Sequence, residues 1–125
     1  MAAIRSRETG PELALRKLLA RTGHRLIVNN PGLPGTPDVT FPARKVAVEL
    51  FGCFWHLCPR HYRPPTRNSE YWAAKADRNR RRDHRVERQL RRLGWSVVRI
   101  WECALETDPE RCLRRVETVL ARRKG

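Results

Sequence analysis

No apolar run in this sequence approaches the roughly 20 residues that a membrane-crossing helix needs. Residues 1–9 also lack the apolar stretch that heads an exported protein. Acidic residues are few, 13 against 27 basic ones, which leaves a formal charge of +14. Lysine is scarcer still: Lys17, Lys45, Lys75 and Lys124 stand beside 23 Arg. A small domain with that excess repels itself unless it meets a polyanion, so nucleic acid is the favoured partner class. An anionic membrane surface would need a spare amphipathic apolar face, and none is apparent. There is no internal repeat, low-complexity tract or long linker, so residues 1–125 are read as one domain with one core. Only four cysteines occur, at 53, 58, 103 and 112. Without a secretion signal the compartment is reducing, where clustered cysteines bind metal more often than they form disulfides.

Thr9-Gly10-Pro11-Glu12 reads as a capping box opening a helix through Leu13, Leu15, Leu18 and Leu19, which stops near Gly23. Arg25 to Val28 is predicted as a short strand and the Pro/Gly-rich stretch from Asn29 to Pro37 as a loop. Asp38 to Phe41 and Lys45 to Leu50 form a predicted strand pair, with Val46, Val48 and Leu50 alternating against Ala47, Glu49 and Phe51. After an irregular stretch from Gly52 to Arg67, the pattern predicts a long helix from Ser69 to Leu93, closed by Gly94. Trp95 to Trp101 reads as a strand. Asp108 as N-cap and Pro109 at the first helical position open a last helix. The predicted order α-β-β-β-α-β-α makes an α/β sandwich, a mixed sheet flanked by helices.

Two groups of side chains carry chemistry. Cys53-x4-Cys58-x2-His61, with Cys103 further on, would complete a tetrahedral structural zinc site, and the loop around the first three has little apolar content to hold it otherwise. Cys112, inside the last predicted helix, is read as a packed thiol and as the substitute should His61 fail. Asp38 and Glu49, at one end of the predicted hairpin, would suit a hard cation such as Mg²⁺, with Glu12 as a possible third carboxylate. Pro37-Asp38 followed by Glu49 resembles the Pro-Asp…(Asp/Glu)-x-Lys motif of restriction-type nucleases.

Gly52-Cys53-Phe54-Trp55-His56 resembles the signature of the very-short-patch repair DNA mismatch endonucleases. Leu33-Pro34-Gly35-Thr36-Pro37-Asp38, Glu70-Tyr71-Trp72, Asn79, Arg82-Asp83, Leu93-Gly94-Trp95 and Trp101-Glu102-Cys103-Ala104-Leu105 match that family in order and at similar spacing. The resemblance implies a restriction-endonuclease-like α/β fold, a mixed sheet flanked by helices with a bound structural zinc. It also implies a Mg²⁺-dependent hydrolase that nicks one strand beside the thymine of a T:G mismatch, the lesion left by deaminated 5-methylcytosine. On that basis Asp38 is the magnesium-binding aspartate, Glu12 a helix glutamate near the metal, and His56 the general acid or base. Phe54 and Trp55 are the aromatics that wedge into the duplex. Such a wedge replaces stacking most cheaply where a mismatch has already weakened it. Cys53, Cys58, His61 and Cys103 take the zinc positions, with Cys58 and His61 exchanged in type relative to members that have His then Cys. The implied setting is a bacterial cytoplasm, nucleoid-associated when bound to DNA, and one-strand cutting suits a monomer.

The sequence departs from the family at two places. Phe51 stands where the fold usually has His, Asp or Lys beside the metal, and Glu49 is acidic where compared members are often apolar. Two readings stay open: a site rewired to Asp38 plus Glu49, or one that is catalytically impaired and keeps only recognition of mismatched or distorted DNA. A nuclease of the same fold with a different DNA target is a further alternative. At the other end of the chain, Ile4-Arg5-Ser6 is expected to be a remnant of the arm with which longer members grip DNA. Between Ala73 and Arg92 nine basic residues face three acids, so this helix is expected to neutralise phosphates. Arg78, Asn79 and Arg82 are its candidate DNA contacts. Asn79 and Asp83, four apart on one face, match family positions close to the active site, with pairing of Asp83 to Arg80 or Arg82 as the alternative.

Overall fold

The computed structural model describes residues 10–52 and 66–123. Eight elements follow in order: α1 (Gly10–Ala20), β1 (Ile27–Val28), β2 (Val39–Phe41), β3 (Val46–Phe51), α2 (Ser69–Arg92), β4 (Ser96–Trp101), α3 (Glu102–Thr107) and α4 (Pro109–Arg122). The four strands form one sheet in the order β1-β2-β3-β4. β2 pairs with β3 antiparallel across the turn at residues 42–45, whose Lys45 takes the left-handed conformation. β4 returns parallel to β3 after the α2 crossover, with Val46 opposite Ser96 and Phe51 opposite Trp101. The mixed sheet flanked by helices is thus the one the hydrophobic pattern predicts, with α3 as an added helix between β4 and α4.

Alternation along β3 decides which side of the sheet becomes core. Val46 and Val48 point to one face and pack with Leu15, Leu18 and Leu19 of α1 and Leu113, Val116 and Leu120 of α4. Ala47, Glu49 and Phe51 point to the opposite face, which α2 covers. Burial of the first face is nearly complete: Leu15, Leu19, Val46, Val48, Ile100 and Val116 have no exposed surface. Cys112 belongs to this cluster, and burial pushes its thiol above the usual range, as expected of a packed cysteine. Among the described residues no helix is long and apolar enough to cross a membrane.

The helix ends follow from local chemistry. Gly94, at φ +90°, closes α2 in the left-handed region that favours glycine. Asp108 caps α4 by accepting the Arg111 N–H at 3.1 Å, with Pro109 at the first position. Asp108→Ala should therefore lower stability by about 1 kcal/mol in chemical denaturation. An unchanged midpoint would show that the cap contributes nothing.

Several arginines act as fasteners rather than as free charge. Arg44 donates to the Leu120 carbonyl at 2.7 Å, and Arg123 donates to the carbonyls of Arg44 and Gly94. These bonds tie the end of α4 to the two turns at the start of β3 and β4. On the other side, Arg115 donates to the Arg99 carbonyl at 3.0 Å.

Candidate functional site

The site begins where the proline-rich loop enters the sheet. Asn29 and Asn30 donate backbone N–H groups to the carbonyls of Asp38 and Pro37, and Asn30 Nδ2 reaches Thr40 Oγ1 at 3.1 Å. These bonds close the loop on itself and deliver Asp38 to the head of β2. The register pairs Val39 with Val48, so Asp38 comes to lie across from Glu49, one step along the same ladder. The Leu50 N–H donates to Asp38 Oδ2 at 2.7 Å and fixes that carboxylate against β3. The predicted meeting of Asp38 and Glu49 at one end of the hairpin is thus present in the fold.

On its other side Glu49 lies in register with Arg99 of β4. Above it, α2 contributes Asp83, which is 8% exposed although it is an acid on a helix of arginines. Gly35, Thr36, Glu49, Arg82, Asp83 and Val86 line a cleft of about 370 Å³ at this place. Gly35 and Thr36 are both left-handed, at φ +75° and +45°, and a β-branched residue rarely adopts that conformation. The loop is held so because it must pass close to Val86 before turning into β2.

Glu49, largely withdrawn from solvent, feels the charges of Asp38 beside it and of Asp83 on α2. Its carboxyl is pushed up to about 7, first by burial and then by the charges of Asp38 and Asp83, with Arg99 opposing. Glu49 Oε2 is buried and has no hydrogen-bond partner among the described residues. An ionised pair in this position is costly for the protein alone, and a hard oxygen-seeking cation would relieve it. Two carboxylates, with waters or phosphate oxygens completing the shell, are the donor set such an ion accepts.

Phe51, two residues on, takes no part in this carboxylate cluster. It is 4% exposed, lies edge-on to Trp101 with ring centroids 5.4 Å apart, and carries the Arg99 guanidinium 4.6 Å from its ring centre. Arg99 Nη2 also meets Glu87 Oε1 at 2.7 Å, and Glu87 in turn holds Arg91. Phe51 is therefore a packing residue beneath an anchored cation.

The remaining candidates are distributed as follows. Arg82 lies at the rim of the cleft, and Asn79 stands half-buried one turn before Asp83 on the same helix face. Arg78 is exposed and turned away from the cleft, on the outer side of α2. Glu12 is half-buried in the first turn of α1 with Oε1 withdrawn from solvent, but it is not among the charges with the largest effect on Glu49. Cys103 is half-buried in the first turn of α3. The chain leaving β3 runs close to that turn, since a Cβ at Gly52 would stand 3.7 Å from the Glu102 carboxylate. Cys53, Phe54, Trp55, His56, Cys58 and His61 lie outside the described residues. Among the described residues no three His, Cys, Asp or Glu side chains are grouped to enclose a metal ion.

The resemblance set Asn79 and Asp83 close to the active site, but the residue pattern alone did not aim Asp83 at Glu49, and the Arg99–Glu87 anchor was missed. One signal was available for the first: Ala76, Asp83 and Leu90 recur every seven residues, the spacing of a buried helical seam. No local signal could find the second, because it depends on β4 lying parallel beside β3.

Comparison with known proteins extends this geometry. Residues 1–61 match the family model described as DNA mismatch endonuclease Vsr. The chain is 47% identical over 107 residues to the Type II nicking enzyme V.NaeI of Lentzea aerocolonigenes, covering 82% of this chain and 64% of that protein. It is 42% identical over 107 residues to the Type II nicking enzyme V.XorIIP of Xanthomonas oryzae, covering 84% of this chain and 78% of the relative. Identity to the DNA mismatch endonuclease Vsr of Escherichia coli is 37% over 106 residues, covering 84% and 68%. The chain thus spans less than two thirds of the length of V.NaeI and more of the other two.

Proposed function

The chain belongs to the Vsr family of DNA mismatch endonucleases, and from that premise we propose that it is a Mg²⁺-dependent endonuclease that nicks one strand of duplex DNA beside the thymine of a T:G mismatch. The observation that carries the reading is the Asp38–Glu49 pair, with Glu49 Oε2 buried and without a hydrogen-bond partner among the described residues. Asp38 and Glu49 would hold the Mg²⁺, which when bound supplies charge neutralisation at the scissile phosphate and a more acidic attacking water.

The chain's own residues do the rest. The Leu50 N–H donates to Asp38 Oδ2 and keeps that carboxylate oriented beside Glu49. Arg82 at the rim meets the phosphodiester, and Asn79 holds a phosphate oxygen or a water. His56, by resemblance, moves the proton at the attacked or departing oxygen. Phe54 and Trp55 wedge into the stack at the mismatched pair. Cys53, Cys58, His61 and Cys103 would bind a structural Zn²⁺ that braces the loop carrying those aromatics.

A second reading has one observation in its favour. Phe51 is committed to packing against Trp101 under Arg99, so it supplies no polar group where this fold usually has His, Asp or Lys beside the metal. A mismatch-binding module that has lost cleavage is the alternative.

The test is nicking of an end-labelled duplex carrying one T:G pair, beside its C:G control, in Mg²⁺ and in EDTA. A nick beside the mismatched thymine that needs Mg²⁺ is the expected result. Intact DNA with mismatch binding retained would replace the enzyme by the binding module, and equal cutting of the C:G control would remove the mismatch specificity.

A further inference from the structure

The basic residues of α2 are not spread evenly around the helix. Arg78, Arg81, Arg85, Arg88 and Arg92 follow one another at intervals of three and four, the spacing that keeps side chains on one face. All five are exposed. At 3.6 residues per turn each points roughly 140° or more away from Asp83, which looks into the cleft. Arg82, by contrast, lies on the flank and lines the cleft. The acids of the same segment are sorted the other way. Asp83 is buried toward the sheet, and Glu87 is turned to Arg99 and Arg91. On the outer side Asp77 pairs with Arg81 at 2.9 Å, and Glu70, in the first turn of α2, lies before the stripe begins.

We propose that this outward arginine stripe is a second nucleic-acid surface, which grips the phosphate backbone of a duplex DNA segment other than the one lying at the Asp38–Glu49 pair. Charge complementarity carries the choice of occupant. Like charges three and four residues apart destabilise a helix by about 0.2–0.5 kcal/mol each, and four such neighbours occur between Arg78 and Arg92. The stripe is about 21 Å long, and a duplex presents a negative charge roughly every 1.7 Å of its axis. A polyanion therefore relieves along its whole length a repulsion that the fold sustains alone. The body of α2, about 10 Å across, stands between the stripe and the cleft. Such contacts carry no base information, so this surface takes matched DNA of any sequence. The inference goes beyond the nuclease reading and does not depend on whether the cleft cleaves.

The experiment counts duplexes per protein. The full chain is mixed with an excess of a short, fully matched duplex in low salt, and the complexes are weighed by native mass spectrometry. A triple variant, Arg81→Gln, Arg85→Gln and Arg88→Gln, keeps helix propensity and leaves Arg78 and Arg82 in place. A control with the same loss of charge carries Arg111→Gln, Arg114→Gln and Arg122→Gln on the exposed side of α4. The expected result is two duplexes on the native chain and on the α4 control, and one on the α2 variant, with affinity for the second duplex down at least 10-fold. A native chain that binds only one duplex would overturn the proposal. So would an α2 variant that still binds two, or an α4 control that loses the second duplex to the same degree. An RNA hairpin held at the stripe in preference to duplex DNA would overturn the choice of partner.

Discussion

Replacing Glu49 by glutamine is expected to make the protein more stable at pH 8 and to remove most of its nicking. Burial and the neighbouring carboxylates lift Glu49 from 4.5 to about 7. In the folded state it therefore binds its proton more tightly than in the unfolded chain. Below pH 4.5 the group is protonated in both states and the fold keeps its full stability. As the pH rises from 4.5 through 7 the unfolded chain releases the proton first, and stability falls; above 7 the loss is complete. The interval corresponds to about 3 kcal/mol if the site were fully dry, and on the order of 2 kcal/mol with the partial exposure of this side chain. Glutamine carries no charge to lose. The variant should melt roughly 8 °C higher than the native chain at pH 8 in the absence of divalent cations. At pH 4 the two should melt together. With Mg²⁺ present the native chain should recover part of the difference and the variant should not. Nicking should fall by about 100-fold or more, the scale of several kcal/mol of lost charge stabilisation at the phosphate. Equal melting temperatures at pH 8 would show that Glu49 is not strained, and unchanged nicking would remove it from the site.

Gly35→Ala is expected to be the most damaging single-methyl change in the site loop. Gly35 sits at φ +75°, and a Cβ there would stand 2.5 Å from Val86 Cγ1 and 3.5 Å from Val86 Cβ. Valine in a helix has essentially one χ1 well, so this neighbour cannot swing clear. The left-handed backbone costs an alanine about 1 kcal/mol and the forced shift of the loop about 1–3 more. A total near 3 kcal/mol should appear in chemical denaturation. The loop that moves is the one whose bonds place Asp38, so nicking should fall with it. Val86→Ala in the same chain opens the space and should restore roughly the packing part. The backbone part should remain, giving a coupling of about 1–2 kcal/mol between the two positions. Strict additivity would mean that the loop does not rest on Val86 at all.

How much of this was legible depended on whether the controlling contact was near in sequence. Alternation along Val46 to Leu50, the run from Ser69 to Gly94, and Asp108-Pro109 each announce themselves within a few residues, and β3, α2 and α4 follow them closely. α3 does not. Its six residues carry no cap that hydrogen-bonds through a side chain and too few turns to show a period. The Asp38–Glu49 pair was readable because a short turn joins its two strands. Asp83, 34 residues beyond Glu49, was placed near the site only by the resemblance, and Arg99, 50 residues beyond, arrives through a crossover whose parallel register nothing local dictates. Phe51 is the instructive middle ground. Its presence signalled a departure from the family, but only the stacked Arg99 gives its physical role.

The arginine fasteners have a bearing on any salt titration of DNA binding. Arg44, Arg99, Arg115 and Arg123 already have carbonyl or carboxylate partners inside the fold. Arg21 and Arg91 are held by Glu110 and Glu87. The steepness with which affinity falls as salt is added counts the ions that phosphates release to new partners, and a guanidinium that keeps its old partner releases none. A protein with 27 basic residues should therefore show a shallower salt dependence than that number suggests. The number of ions set free measures its working surface, which is smaller than its charge.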